Sequence, residues 1–271
     1  MEARRAEITF FTVATNRYLN FWLQQIESAK AFLDKQLRIR FVVLTDDSDS
    51  IPQDLLVGTN WDLRVGKIPN EKWPMPTLFK FKHLVNHQHL IESEIIWQLD
   101  ADMLFADWGV LDVIAKHSIS NEVSLVQHPG YYRSKEKLGL YTRNPRVLLS
   151  DAKSILENGG IGTWEDNQES LAYVPRHLRN VYVCGGSWGG PTGAVIHMAQ
   201  VLSARIEQDL SRNVIARFHD ESHINWFAAT YKINLLRPDL CFDSSYPNLK
   251  GIAPRILAVD KNSQSAWIRD E

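Results

Sequence analysis

Cysteine is scarce in this chain of 271 residues: only Cys184 and Cys241 occur. Two thiols cannot make a disulfide framework, and a reducing compartment is the simpler expectation. Long apolar runs are missing as well. No segment approaches the ~20 consecutive apolar residues of a membrane-spanning helix. The run "ITFFTVATNRY" near the N-terminus is short and turns polar at Asn16 and Arg17, which argues against a signal peptide or an anchor. An excess of one charge is also lacking. The formal net charge is −2, so no global field draws the chain to nucleic acid or an anionic membrane. Internal repeats, low-complexity tracts and linkers are absent. Residues 1–271 therefore read as a single domain, expected in the cytoplasm.

What is present is apolar and ordered. Hydrophobic residues make up 44% and charged residues 23%, the balance of a chain that buries a core. The nine tryptophans exceed what such a core needs, and surplus aromatic planes often line ligand clefts, including sugar sites. "EITFFTVAT" predicts a buried strand. "YLNFWLQQIESAKAFLDKQL" predicts a helix, with Trp22, Ile26, Ala29 and Leu33 at helical spacing. "IRFVVLTDD" is a second strand, "TLFKFKHLVNHQHLI" a helix, "SEIIWQLD" a third strand and "EVSLVQHPG" a fourth. This alternation predicts an α/β fold, a mainly parallel twisted sheet flanked by helices. Ligands in such sheets bind beyond the carboxyl ends of the strands, where Asp46, Asp100 and His128 stand. Residues 131–179 read as loop-rich, as functional segments often are. Helices are expected over "AVIHMAQVLSARIEQDL" and "FHDESHINWFAAT", and a strand over "KINLLRPDL".

Three stretches carry chemistry. "IIWQLDADMLF" ends an apolar run on Asp100 and Asp102, with Ala101 between them. Paired carboxylates repel unless a cation lies between, and oxygen ligands suit Mn2+ or Mg2+. The bland alternative is a helix cap beside a solvated aspartate. "FHDESHINWF" places His219 and His223 four residues apart, one face of a helix. The zinc motif H-E-x-x-H needs Glu directly after the first His, but Asp220 stands there and Glu221 follows. Acidic residues at a helix start are also favoured by the dipole alone. "CGGSWGGPTG" lacks the order of a P-loop or a dinucleotide site. It reads as a close backbone approach to a ligand or as a bend.

Taken together, "TNRYLNFW", "FVVLTD", "KWPMPTLFKF", "DADMLF", "QHPGYY", "ESLAYVP", "GGSWGG", "FHDESHIN" and a late "KN" resemble the family 6 glycosyltransferases, in the family's order and over residues 14–269. The chain looks like a short bacterial or viral member that keeps the Asp-x-Asp pair. The resemblance implies one GT-A domain with a C-terminal tail, about 258–271, closing over the donor. It implies retaining transfer of N-acetylgalactosamine or galactose from a UDP-sugar to the 3-hydroxyl of an acceptor galactoside, possibly fucosylated, in α-1,3 linkage. By resemblance Asp100 and Asp102 hold Mn2+ (or Mg2+) on the diphosphate, around Ala101. Ala14, Thr15 and Tyr18 hold the nucleoside. Lys80 stands where the family has Arg. Cys184, Gly185 and Gly186 line the donor sugar, with Cys184 and Gly186 at the positions that set donor choice. His219 and Asp220 also belong to the donor side, and Lys261 and Arg269 close from the tail. Glu221 is the carboxylate beneath the anomeric carbon. His128, Phe218, Asp243 and Glu221 face the acceptor. Gly186 favours UDP-N-acetylgalactosamine by leaving room at carbon 2, unless Trp188 fills that space.

The chain departs from the family at Phe218, where Trp is usual, and at "WEDNQES", which lacks paired arginines. Retention admits a covalent glycosyl intermediate on Glu221 or an electrostatic role while the acceptor enters on the leaving-group face. Two rivals are a zinc-dependent hydrolase built on His219 and His223 and a non-catalytic carbohydrate-binding module.

Overall fold

Phe10 and Phe11 are neighbours in the chain yet pack into different cores. The same alternation holds at Phe41 and Val42, Val43 and Leu44, and Trp97 and Ile96. Side chains of a strand alternate between the faces of its sheet, so these runs must be covered on both sides. The computed structural model describes residues 6–133 and 145–259. Strands β1 (Ala6–Val13), β2 (Ile39–Thr45), β3 (Asp62–Lys67) and β4 (Ser93–Leu99) are joined by β7 (Val183–Pro191), β6 (Ser124–Gln127) and β8 (Asn234–Leu236). They form one seven-stranded sheet in the order β3-β2-β1-β4-β7-β6-β8. All pairings are parallel except the two made by β7, which runs against both β4 and β6. A small antiparallel pair, β5 (Met103–Phe105) with β9 (Ile256–Ala258), sits beside it.

Helices α1 (Tyr18–Phe32) and α4 (Val110–His117) supply Trp22, Ile26 and Ile114 to one face. Helices α2 (Met75–Leu78), α3 (Lys80–Asn86), α6 (Thr192–Ser211) and α7 (His219–Thr230) supply Leu78, Phe81, Met198, Leu202 and Ile224 to the other. This is the α/β class expected, consistent with a GT-A type domain. No described helix is long and apolar enough to cross a membrane.

Several local expectations are corrected. Helix α1 stops at Phe32, short of Leu37, because Leu33 turns extended and Asp34 Oδ1 takes the Gln36 N–H at 2.8 Å. A side chain that bonds the nearby backbone competes with the helix. The helix expected over residues 77–91 is broken at Phe79, and a new helix begins at Lys80. Strands β3 and β5 were not foreseen, since β3 is a polar edge strand and β5 has only three residues. The loop-rich region contains helix α5 (Pro145–Asn158), whose Leu149 and Leu156 are exposed.

The glycine stretch is not a bend but lies mostly in the inner strand β7. A Cβ at Gly189 would meet the Ile96 carbonyl and stand 2.8 Å from Trp97 Cα, so a bare backbone is what lets β7 close on β4. Most of the described tryptophans serve the cores. Of the eight described, Trp22, Trp61, Trp97, Trp164 and Trp188 are buried in cores, while Trp73 and Trp108 are exposed.

Candidate active site

Because β7 is antiparallel, its first residues lie at the same sheet edge as the last residues of the parallel strands. Leu99 pairs with Ser187 and Gln127 with Val183. Beyond those pairs, Asp100 N–H donates to the Gly186 carbonyl at 2.9 Å, and His128 N–H to the Tyr182 carbonyl at 2.9 Å. Asp100, His128, Cys184, Gly185 and Gly186 thus meet at one edge. Helix α7 delivers its N-terminus there. Asn225 Nδ2 donates to the Val183 and Glu221 carbonyls at 2.9 and 2.8 Å, and its Oδ1 accepts Val183 N–H at 2.8 Å. The same edge holds Ala14 and Thr15, both buried after β1, and Tyr18 at the start of α1. Asp46, just past β2, accepts the Asn16 N–H at 2.7 Å.

Lys80 ties this edge together. Its Nζ donates to Asp100 Oδ1 at 2.7 Å, to Asp220 Oδ2 at 2.8 Å and to the Gly185 carbonyl at 3.3 Å. It is 4% exposed, and burial alone would lower its pKa. The two carboxylates outweigh that and hold it above the ordinary lysine value, so it stays charged. Burial pushes the Asp220 carboxyl up, against the pull of Lys80 and with the charge of Asp100 adding to it. Gln98 Nε2 also donates to Asp100 Oδ1, at 2.9 Å.

Glu221 lies one residue on. Oε2 accepts the Gly185 N–H at 3.0 Å and Oε1 the Tyr182 hydroxyl at 2.9 Å. Burial raises its pKa to about 7, although both hydrogen bonds favour the ionised form. The ring of Tyr182 packs on those of His128 and Tyr131, with centroids 5.7 and 5.2 Å away. His128 Nδ1 accepts the Gly130 N–H at 3.1 Å, which leaves the proton on Nε2. Burial lowers its pKa to about 4 despite Asp243 nearby, so it is a neutral donor. Asp243 thus belongs to the His128 side, and its Oδ1 accepts the Ser245 N–H at 2.8 Å. Phe218 is the residue before α7, half-buried beside Arg217.

Asp100, Ala101 and Asp102 form a tight turn between β4 and β5, closed by Met103 N–H on the Asp100 carbonyl at 3.1 Å. Among the described residues no group of three or more His, Cys, Asp or Glu converges as a metal site. Two carboxylates would hold a hard cation only with oxygens from a diphosphate and water, which is how Mg2+-like ions usually sit in nucleotide sites. That donor set fits Mn2+ or Mg2+. It gives no support to the zinc hydrolase. His219 has a left-handed backbone (φ 48°) and its ring meets Trp73, centroid to centroid 4.6 Å. His223 is 1% exposed and looks inward, with Nε2 3.7 Å from Asp209 Oδ2. Trp188 is buried, and its Nε1–H donates to the Gly185 carbonyl at 3.1 Å. Its ring packs on that of Phe81 in the same core, with centroids 5.5 Å apart. Lys261 and Arg269 lie outside the described residues.

The sequence profile of Glycosyltransferase family 6 matches residues 3–154 and 157–270. The chain belongs to glycosyltransferase family 6. Its similarity to individual members is modest. It is 24% identical over 260 residues to histo-blood group ABO system transferase 1 of Rattus norvegicus, covering 93% of this chain and 66% of that protein. It is 25% identical over 259 residues to globoside alpha-1,3-N-acetylgalactosaminyltransferase 1 of Gallus gallus, covering 93% and 66%. It is 22% identical over 263 residues to the O-antigen biosynthesis glycosyltransferase WbnI of Escherichia coli, covering 95% and 96%. The chain therefore spans about two thirds of the length of the animal proteins.

Within this family 6 glycosyltransferase, four site residues escaped the sequence reading. Tyr182 donates to Glu221, Asn225 ties the Glu221 helix to β7, and Gln98 donates to Asp100. Gln25, 0% exposed on α1, donates Nε2 to the Asp100 carbonyl at 3.0 Å and to the Met103 carbonyl at 2.8 Å, and so clamps the Asp100–Asp102 turn. A signal for Gln25 exists: it breaks the apolar stripe of Trp22, Ile26 and Ala29. Tyr182 carries none, because Glu221 lies 39 residues away, while Gln98 stands two residues before Asp100 and Asn225 four after Glu221.

Proposed function

We propose that this family 6 glycosyltransferase moves N-acetylgalactosamine or galactose from a UDP-sugar to the 3-hydroxyl of an acceptor galactoside, with retention and in α-1,3 linkage. The carrying observation is the Lys80 node, with Asp100, Asp220 and the Gly185 carbonyl on one ammonium and Glu221 one residue beyond. It sets a row of polar groups along one sheet edge, from the Asp100–Asp102 turn to Glu221, where a nucleotide-sugar has its diphosphate at one end and its sugar at the other.

Asp100 and Asp102 would hold Mn2+ or Mg2+. Such an ion neutralises the diphosphate and makes UDP a better leaving group. Asp220, held by Lys80, accepts hydrogen bonds from donor-sugar hydroxyls. Glu221, held at both oxygens, presents negative charge to the anomeric carbon as positive charge grows there. Neutral His128 donates Nε2–H to an acceptor hydroxyl, with Asp243 on the same side. The partners are a nucleotide-sugar and a glycan, as the family implies, and the cellular location proposed is the cytoplasm.

Between the two donors, N-acetylgalactosamine is the proposed preference. Gly186 has no side chain, but the end of Met103 already stands against the place its Cβ would take, so the room at carbon 2 depends on Met103 moving aside. Incubation of the protein with each UDP-sugar, Mn2+ and a galactoside, with UDP release and product linkage as readouts, tests the reading. No UDP from either donor would overturn it.

A further inference from the structure

Tyr182 carries one phenolic proton and has two acceptors for it. Its hydroxyl lies 2.9 Å from Glu221 Oε1 and 3.2 Å from the Thr163 carbonyl. The residue is 1% exposed. Its ring is wedged between His128, Tyr131 and Trp164, the last edge-on at 5.2 Å. With Gly185 N–H on Oε2 at 3.0 Å, the Glu221 carboxylate is fixed by one backbone donor and one side-chain donor. We propose that Tyr182 is a positioning residue of the transfer reaction, donating to ionised Glu221 and turning its proton to the Thr163 carbonyl when Glu221 is protonated.

Ionised Glu221 only accepts hydrogen bonds, so the phenol must point at it. Protonated Glu221 has a hydrogen to give. It then donates to the Tyr182 oxygen, and the phenol proton swings to Thr163. Each state pairs the buried oxygens that need a partner most, which matters where an unmet charge is costly. Burial and the charge of Glu221 hold the phenol well above its ordinary pKa, so Tyr182 remains a donor at any assay pH. Four other titratable groups act on Glu221 or are acted on by it: Lys80 from α3, Asp220 beside it on α7, and Cys241 and Tyr246 from the C-terminal part. None of them bonds to the Tyr182 hydroxyl, and Tyr182→Phe leaves all four in place. The substitution removes a hydrogen bond in both states, and the one to the ionised carboxylate is the stronger because its acceptor is charged. Ionisation of Glu221 then becomes harder, and its pKa rises from about 7.

The inference rests on the glycosyl-transfer reading, so its test includes a measurement that needs no turnover. Carboxyl carbons of 13C-glutamate-labelled protein are titrated by NMR, with Glu221 assigned by its loss in Glu221→Gln. Wild type and Tyr182→Phe are compared, together with their pH–rate profiles and donor KM. In Tyr182→Phe the NMR midpoint and the acid limb of kcat should both move up by ~1 pH unit. Turnover should fall by ~10-fold with donor KM within about twofold. In a Glu221→Gln background the same change should cost almost nothing. An unmoved midpoint, or one moved downward, overturns the inference and leaves Tyr182 a packing residue, even if thermal stability drops. If no donor is turned over, the transfer reading fails while the NMR midpoint still decides the role of Tyr182.

Discussion

Glu221 is the residue on which the proposed chemistry turns, and its buried carboxyl is held at both oxygens. With a pKa of about 7, its ionised fraction falls tenfold per pH unit below that value. The kcat of the wild type should therefore rise with pH and level off above about 7. Glu221→Gln keeps size and hydrogen bonding but removes the charge. Turnover should fall by ~10^2-fold or more while UDP affinity, read by calorimetry, barely moves. The same residue affects stability. Its folded pKa lies above the unfolded value of 4.5, so its favourable contribution is complete below pH 4.5 and is lost as pH rises through about 7. Glu221→Gln should thus be more stable than the wild type at pH 8, by on the order of 1 kcal/mol in urea unfolding. At Lys80 the sign is opposite. Lys80→Met leaves Asp100 and Asp220 facing each other without their shared cation. Unfolding free energy should drop by about 2–3 kcal/mol, with loss of transfer. An unchanged urea midpoint would contradict the node.

At the scale of the element, β7 does two jobs with one run of glycines. Gly189 is needed for pairing, because a Cβ there would strike backbone of β4. Backbone cannot yield as a side chain does, so Gly189→Ala should cost ~3 kcal/mol or more and show as a lowered melting temperature. Gly186 sits three residues earlier on the same strand. Its added Cβ would meet the flexible end of Met103, which can move aside. Gly186→Ala should therefore fold nearly as well as the wild type while lowering use of UDP-N-acetylgalactosamine relative to UDP-galactose. Equal donor ratios in the two proteins, measured on one acceptor, would show that this position does not set donor choice.

For the whole molecule, the site is assembled from pieces that are far apart in the chain. Lys80 reaches Asp100 across 20 residues and Asp220 across 140. Gln25 reaches the Asp100 carbonyl across 75. A diphosphate ligand that bridges these pieces should stabilise the fold as a unit. UDP with Mn2+ should raise the melting temperature, by an amount that grows with ligand concentration. EDTA should remove both the gain and the turnover. Full activity in EDTA, or an active Asp102→Ala, would remove the metal from the mechanism.

The sequence by itself determined the strand–helix alternation, the two-faced burial of β1, β2 and β4, and the placing of Asp46, Asp100 and His128 at strand ends. Those features are written in local periodicity, which depends on backbone geometry within a few residues. The motif "FHDESHIN" was also legible as a helix start with two acids, and α7 begins at His219 as read. Only the tertiary structure decided that β7 lies antiparallel between β4 and β6. That single choice of strand order and direction brings Gly185 and Gly186 beside Asp100, and Tyr182 beside His128. It also decided that a lysine bridges two acids, that Trp188 packs on Phe81 of α3, and that His223 looks inward. Register and ion pairing across a sheet depend on which strands become neighbours, and no pattern within one segment carries that information.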